Sequence, residues 1–261
     1  GGMSLPSPKT FRFELKSGVA TLTLARPERL NSLTFAVYNE LADTLAEMNR
    51  HDAIRAVVLT GEGRAFCSGG DVNDIIGELF SRDMKGLLAF TRVTGRLIEN
   101  IRALRRPVVA AVNGTAVGAG AVMALACDIR IASDTAKFGF IFPRVGLAGA
   151  DMGAAYLLPR VVGLGRATEI LYLGDPVEAP AALAMGLANR VVPRDQVLAE
   201  ATALARRLAD GPTFALGMTK RLLVHEASMD LASAIEVEAV AQALLLRAKD
   251  HRHFYDAYKA G

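Results

Sequence analysis

From Pro107 to Cys127 the chain reads "PVVAAVNGTAVGAGAVMALAC" without one charged residue, between Arg105-Arg106 and Asp128. A run this long and apolar raises the question of a membrane span. Gly114 and Gly118 even give it the G-x-x-x-G spacing of packed spanning helices. The interior argues otherwise. Pro107 opens the run, and Asn113 and three glycines, at 114, 118 and 120, interrupt its middle. A buried strand, a flexible turn and the bare start of a helix fit that punctuation better, and no membrane span is expected.

A second stretch repeats the pattern. "AVVLTGEGRAFCSGGD" also runs from a buried strand into glycines, and "DVNDII" after it reads as helical. Elsewhere "FRFELKSGVATLTLAR" alternates around Ser17-Gly18 as a hairpin. "TFAVYNELADTLAEMNRH" places Val37, Leu41, Thr44, Leu45 and Met48 on one helical face, with Thr34 as N-cap. A helix is expected over "LLAFTRVTGRLIENIRAL" and a strand over "IRIASD". From about Ala150 onward nearly everything reads as helical, with a start at Gly211-Pro212 and an Asp230 cap on "LASAIEVEAVAQALLL". Strands alternating with helices, then helices alone, predict an α/β chain with a helical C-terminal third.

Composition narrows the function. The 261 residues are 51% hydrophobic, ample for one large core; Gly1-Gly2, ahead of Met3, read as an expression remnant and are set aside. A net charge of +3, scattered along the chain, does not point to nucleic acid. Cys67 and Cys127 are too few for a disulfide framework. Reduced thiols and a cytoplasmic location are expected. His51, His225, His251 and His253 show no convincing metal-ligand spacing, so no metal is expected.

The glycine turns admit three readings. The first is a dinucleotide cradle: Gly114, Gly118 and Gly120 give G-x-x-x-G-x-G between strand and helix, and Tyr255 and Lys259 give Y-x-x-x-K. That turn should open the chain, however, and here it comes late, while the Tyr-Lys pair stands against the C-terminus. The second is a pair of ordinary turns. The third takes them together: one exposed N–H from each turn, aimed at one oxygen, makes an oxyanion hole. Small residues are needed there because side chains would block the approach, and the helix dipole behind the second turn adds positive potential.

"GEGRAFCSGGDV" and "RRPVVAAVNGTAVGAG", with "RPERLNSL", "FPRVGLAGADMGAAYLLPRVVG" and "LAMGLANRVV", resemble the enoyl-CoA hydratase/isomerase (crotonase) family, from about Phe11 to Tyr258. The resemblance implies a ClpP/crotonase-type α/β core of repeated ββα units over residues 3–200, and a helical trimerisation region over 201–261. It implies an acyl-CoA thioester as substrate, with coenzyme A entering only as part of that substrate, and a homotrimer or a hexamer of two trimers. The oxyanion-hole positions match Gly70 and Ala119, where alanine replaces the usual glycine but keeps the N–H. The coenzyme A positions match Arg29, Leu30, Ser32, Ser68, Asp71 and Val72. Arg29 suits a phosphate, whereas Asp71 suits holding its loop by hydrogen bonds.

The two glutamates with which family hydratases activate water match Val122 and Phe142. Neither side chain can move a proton; both suggest an apolar pocket. Asp151 is the remaining candidate acid/base, with the N-cap of the following helix as its structural alternative. Asp128 reads as structural, Tyr156 as an interior hydroxyl, and Cys67 as lacking an activating base. The expected reaction is enoyl-CoA hydration or isomerisation, and a single carboxylate favours isomerisation. The alternatives are an acyl-CoA-binding homologue without catalysis, or a thioester hydrolase or decarboxylase using the same hole.

Overall fold

The computed structural model describes residues 3–261. It opens with the hairpin β1 (Arg12–Lys16) and β2 (Val19–Leu24). Ser17 and Gly18 both have positive φ, 52° and 81°, the backbone that matches the twist of a two-residue hairpin. Helix α1 (Phe35–Met48) follows. Thr34 caps it, accepting from the Val37 N–H at 3.2 Å, and the predicted apolar face is buried.

The centre of the chain is a repeated unit. β3 (Ala56–Gly61) leads into β4 (Ala65–Cys67), a π-helical turn at Val72–Gly77 and α2 (Met84–Ala103). β5 (Val108–Val112) leads into β6 (Thr115–Val117) and α3 (Ala119–Ala126). β7 (Ile129–Ser133) leads into β8 (Lys137–Gly139), a 3₁₀ turn at Phe142–Val145 and α4 (Ala154–Val162). Each unit is therefore strand, strand, helix. The first strands join a six-stranded sheet and the second strands a four-stranded one. The chain passes through α5 (Leu164–Leu173), β9 (Val177–Glu178), α6 (Ala179–Ala184) and β10 (Arg190–Val192) before α7 (Val197–Ala209), α8 (Thr213–Glu226), α9 (Leu231–Leu246) and α10 (Lys249–Ala260). The sheet orders are β1-β2-β3-β5-β7-β10 and β4-β6-β8-β9. Within them β1 runs antiparallel to β2, and β9 to β8; the other pairs are parallel.

Two features depart from the sequence reading. The glycine turns do not pass straight from a buried strand to a helix, because β4 and β6 lie within them. The late region is not wholly helical either, since β9 and β10 interrupt it and complete the two sheets.

The main core includes the sheet residues Leu22, Val57 and Ala110 together with Leu41, Leu97 and Met123 from α1, α2 and α3. The other face of the six-stranded sheet is covered by α7. Its Val197, Ala201, Ala205 and Ala209, spaced four apart, bury against Val19, Val58 and Val109. Residue 200 thus lies inside a helix that packs on the sheet.

Beyond α7 the buried surface is sparse. One side chain ties α8 to the core: Lys220 Nζ donates to the carbonyls of Ile101 (2.9 Å) and Arg106 (3.0 Å) and meets Asp128 Oδ2 at 2.9 Å. α9 is apolar yet exposed at Leu231, Ile235, Val240 and Leu244. No helix among the described residues is long and apolar enough to cross a membrane.

Candidate active site

The pairing of β4 with β6 brings the turns that carry Gly70 and Ala119 to one end of the sheet. These strands are parallel neighbours, Cys67 lying opposite Ala116. Gly70 stands three residues past the end of β4, and Ala119 two past the end of β6, so both emerge at the same sheet end. The loops are close: a Cβ built on Gly69 would lie 3.7 Å from the Ala119 nitrogen and 3.0 Å from the Val117 carbonyl oxygen. Gly69 has φ of 95° and Gly118 of 56°, left-handed backbone that glycine adopts freely.

Both N–H groups are without a protein acceptor among the described residues. The flanking bonds explain the first. The Leu33 N–H donates to the Gly69 carbonyl at 2.7 Å and the Asp71 N–H to the Leu33 carbonyl at 3.0 Å, which leaves the Gly70 N–H between them unused. Ala119 is the first residue of α3, where N–H groups have no intrahelical partner and the helix dipole is positive.

The loop that carries the positions the resemblance assigns to coenzyme A is locked from within. Leu30 and Asn31 both have positive φ, 52° and 57°. The buried Asn31 amide holds this shape, accepting from the Arg26 N–H at 2.9 Å and donating to the carbonyls of Glu62 (2.9 Å) and Ala65 (2.8 Å). The Ser68 N–H donates to the Leu30 carbonyl at 3.0 Å, joining this loop to the Gly70 turn.

Asp71 is the centre of a second lock. Its carboxylate accepts from the N–H groups of Asp74 (2.8 Å) and Asn73 (3.0 Å), from Ser32 Oγ (3.0 Å) and from Arg26 Nη2 (3.3 Å). These donors, the Asp74 N–H foremost, hold its pKa down to about 2. Ser32 is buried and spent on this bond. Arg29 and Val72 are exposed, Leu30 and Ser68 half-buried. The Arg29 guanidinium has no ion-pair partner among the described residues. Arg26 is the participant that sequence reasoning missed; its contact with Asp71 spans 45 positions and no local pattern announces it.

Val122 and Phe142 are both buried in the main core, Val122 on α3 and Phe142 at the head of the 3₁₀ turn. Asp151 lies half-buried in the loop between that turn and α4. It is not the N-cap of α4. That place belongs to Gly153, at φ 89°, with no side-chain cap, and the buried Met152 before it is also left-handed at 56°. Burial raises the Asp151 pKa above its ordinary value, and the neighbouring Met152 N–H offsets part of the rise.

Cys67 is fully buried and burial pushes its thiol up to about 12, so it is no nucleophile. Tyr156 is not interior but half-exposed, stacked under the Arg160 guanidinium at 3.4 Å. Asp128 is engaged structurally, accepting from the Val108 N–H at 2.8 Å and pairing with Lys220. A cavity of about 990 Å³ borders the Asp151 loop at Met152 and Gly153 and extends past Ile98 and Arg102 to Arg221 and His225. No group of three or more metal-ligating side chains occurs among the described residues.

Strand-strand-helix units with paired turns at one sheet end define a class of proteins, and the class is shared with known relatives. Residues 14–259 match the enoyl-CoA hydratase/isomerase family, and the chain belongs to that family. It is 39% identical over 246 residues, 94% of each chain, to the 1,2-epoxyphenylacetyl-CoA isomerase of Escherichia coli K12. It is 32% identical to the crotonyl-CoA hydratase of Syntrophomonas wolfei, over 94% of this chain and 93% of that one. Among solved structures, a candidate enoyl-CoA hydratase from Streptomyces coelicolor A3(2) superposes with a TM-score of 0.96 at 52% identity, covering all of this chain and 95% of its own.

Proposed function

We propose that this chain isomerises an acyl-CoA, holding the thioester oxygen with the Gly70 and Ala119 N–H groups and moving one proton with Asp151. The observation that carries the reading is the pair of unused N–H groups at the ends of the parallel neighbours β4 and β6. Negative charge growing on the thioester oxygen meets two fixed donors and the positive end of α3. One such donor contributes about 3 kcal/mol to barrier lowering.

For an enoyl substrate the step balances with one carboxylate. Asp151 takes a proton from the α-carbon, the C–H electron pair enters the thioester as an enolate, and the same proton returns at the γ-carbon. The double bond moves by one position, and nothing else is consumed. A half-buried carboxylate with a raised pKa is a stronger base than an exposed one. Val122 and Phe142 leave no second carboxylate at the positions that resemblance assigns to water activation, which favours isomerisation over hydration. The relative named 1,2-epoxyphenylacetyl-CoA isomerase supports the same choice.

Coenzyme A binds, in this reading, along Arg29, Leu30, Ser68 and Val72, with Ser32 and Asp71 shaping the loop beneath, and no cofactor is needed beyond the substrate's own coenzyme A. The apolar exposed faces of α9 and α10 support assembly as a trimer or a pair of trimers. The test is turnover of 3-enoyl-, 2-enoyl- and epoxyphenylacetyl-CoA by wild type and Asp151→Asn. Isomerisation that disappears in Asp151→Asn is the expected result. Turnover that survives it removes Asp151 as the base.

A further inference from the structure

α3 carries Ala119 as its first residue, and its sequence, AGAVMALA, holds no polar side chain. Five of its eight residues are alanine or glycine, so the ridges it offers to its neighbours are shallow. Gly118, its N-cap, supplies no side-chain bond, although the Gly118 N–H donates to the Gly139 carbonyl at 2.8 Å. The side chains of α3 thus give packing but no directional bond to fix its place along its own axis. Eight residues at 1.5 Å each span only about 12 Å, so a shift at one end reaches the other.

The far end is gripped instead. A helix leaves its last carbonyls without intrahelical donors. Here they are those of Ala124, Leu125, Ala126 and the C-cap Cys127, and two guanidinium groups reach all four. Arg130 Nη1 donates to the carbonyls of Cys127 (2.6 Å), Leu125 (3.1 Å) and Ala124 (3.3 Å). Arg102 Nη1, from α2, donates to the carbonyl of Ala126 at 3.3 Å.

Arg130 is held in turn. It is buried on β7, and its Nε donates to the Leu187 carbonyl at 2.6 Å. Its backbone N–H donates to Asn189 Oδ1 and its carbonyl accepts from the Asn189 N–H, both at 2.9 Å. A planar fork fixed in this way sets several acceptors at once, which the single ammonium of a lysine does not. Both positive charges also suit the negative end of the helix dipole.

We propose that Arg130 and Arg102 are positioning residues for the oxyanion hole: by gripping the carbonyl end of α3 they set the Ala119 N–H beside that of Gly70. They act through the helix. The proposal rests on the acyl-CoA reading above. A group misplaced by about 1 Å can cost about 10²-fold in rate, so a grip on the far end of a short helix is felt at the thioester.

Infrared spectroscopy of bound [1-¹³C]butyryl-CoA reads the hole directly, because donors on the thioester oxygen lower its carbonyl stretch. Butyryl-CoA has no double bond to move, so the readout does not depend on turnover. Wild type should lower the stretch from its value in solution. Arg130→Lys, which keeps the charge and loses the fork, should forfeit at least half of that shift, and Arg102→Gln a smaller part. For Arg130→Lys, kcat with a 3-enoyl-CoA should fall by about tenfold or more while the Kd of butyryl-CoA stays within about threefold. A variant that is merely less stable would melt earlier yet keep the full shift in its folded molecules. A full shift in either folded variant therefore overturns the proposal alone. A wild type that binds no butyryl-CoA, or binds it without a shift, overturns it together with the acyl-CoA reading. Should Arg130→Lys not fold, Arg102→Gln decides by the same measure, since that side chain is partly exposed and Asp128 keeps Lys220 as its partner.

Discussion

Gly120 lies against Cys67 so closely that a Cβ at position 120 would stand 2.2 Å from the Cys67 carbonyl oxygen and 2.8 Å from its Cβ. Cys67 ends β4 and Gly120 is the second residue of α3, so this contact sets how near the two glycine turns come. The Cys67 carbonyl is backbone, which cannot swing aside. Gly120→Ala is expected to push α3 away from β4 and separate the Gly70 and Ala119 nitrogens. Overpacking of this kind costs about 1–3 kcal/mol, read as a lower urea midpoint. Turnover should fall by at least about tenfold, as misplaced donors no longer converge.

Asp151→Asn removes the proposed base while keeping the size of the side chain. The rate constant should drop by about 10²–10⁴-fold. The pH dependence has a definite sign. The folded-state pKa is raised above the value of 3.8 for a free side chain, and the base must be ionised. The wild-type rate should therefore rise with pH through that raised value and then level. Stability runs the other way. Protonated Asp151 is favoured by burial, so its stabilising effect is present below the unfolded pKa and is lost as pH rises through the folded one. Urea titrations at pH 4 and pH 7 should show Asp151→Asn closing part of that difference.

Asp71 has the opposite linkage. Its folded pKa is held near 2 by the Asp74 and Asn73 N–H groups, Ser32 and Arg26. The stabilisation is present above the unfolded pKa and disappears as pH falls through about 2. Asp71→Ala leaves those donors unpaired, an expected loss of about 2–3 kcal/mol. Because the same lock shapes the loop at Leu30 and Ser68, the variant should also raise KM for an acyl-CoA more than it lowers kcat.

Lys220 is buried, and its Nζ bridges α8 to Ile101, Arg106 and Asp128. Lys220→Met would leave the Asp128 carboxylate with a weaker partner, Arg102 at 3.6 Å. Breaking a buried pair from one side costs about 3–5 kcal/mol. A double change, Lys220→Met with Asp128→Asn, should recover part of it, and thermal unfolding of the three variants measures the coupling.

How much of this was legible beforehand depended on range. The Ser17-Gly18 hairpin and the face of α1 rest on neighbours in sequence, and both are found. β4, β6 and β8 were not legible. Three residues such as "AFC" or "TAV" cannot show a period of two, and the glycines beside them dominate the pattern. Asp151 read equally well as a base or an N-cap, because the left-handed Met152 and Gly153 that delay α4 are set by tertiary packing.

The C-terminal helices supply a final prediction. Leu231, Ile235, Val240 and Leu244 leave α9 apolar and exposed, a surface too hydrophobic for a helix that faces water alone. α8 adds exposed Phe214 and Leu223, and α10 adds Phe254 and Tyr258. Burial against other copies would contribute roughly 25 cal/mol per Å² of apolar area. Light scattering of the wild type should give three or six times the mass of one chain, 27.7 kDa. Val240→Arg with Leu244→Arg places two charges where that contact would form and should lower the mass toward a single chain. Both side chains are more than half exposed in the single chain, so its own fold loses little by the change. Far-ultraviolet circular dichroism of the double variant should accordingly match wild type, and a wild type that is already monomeric would show that α9 meets no second copy.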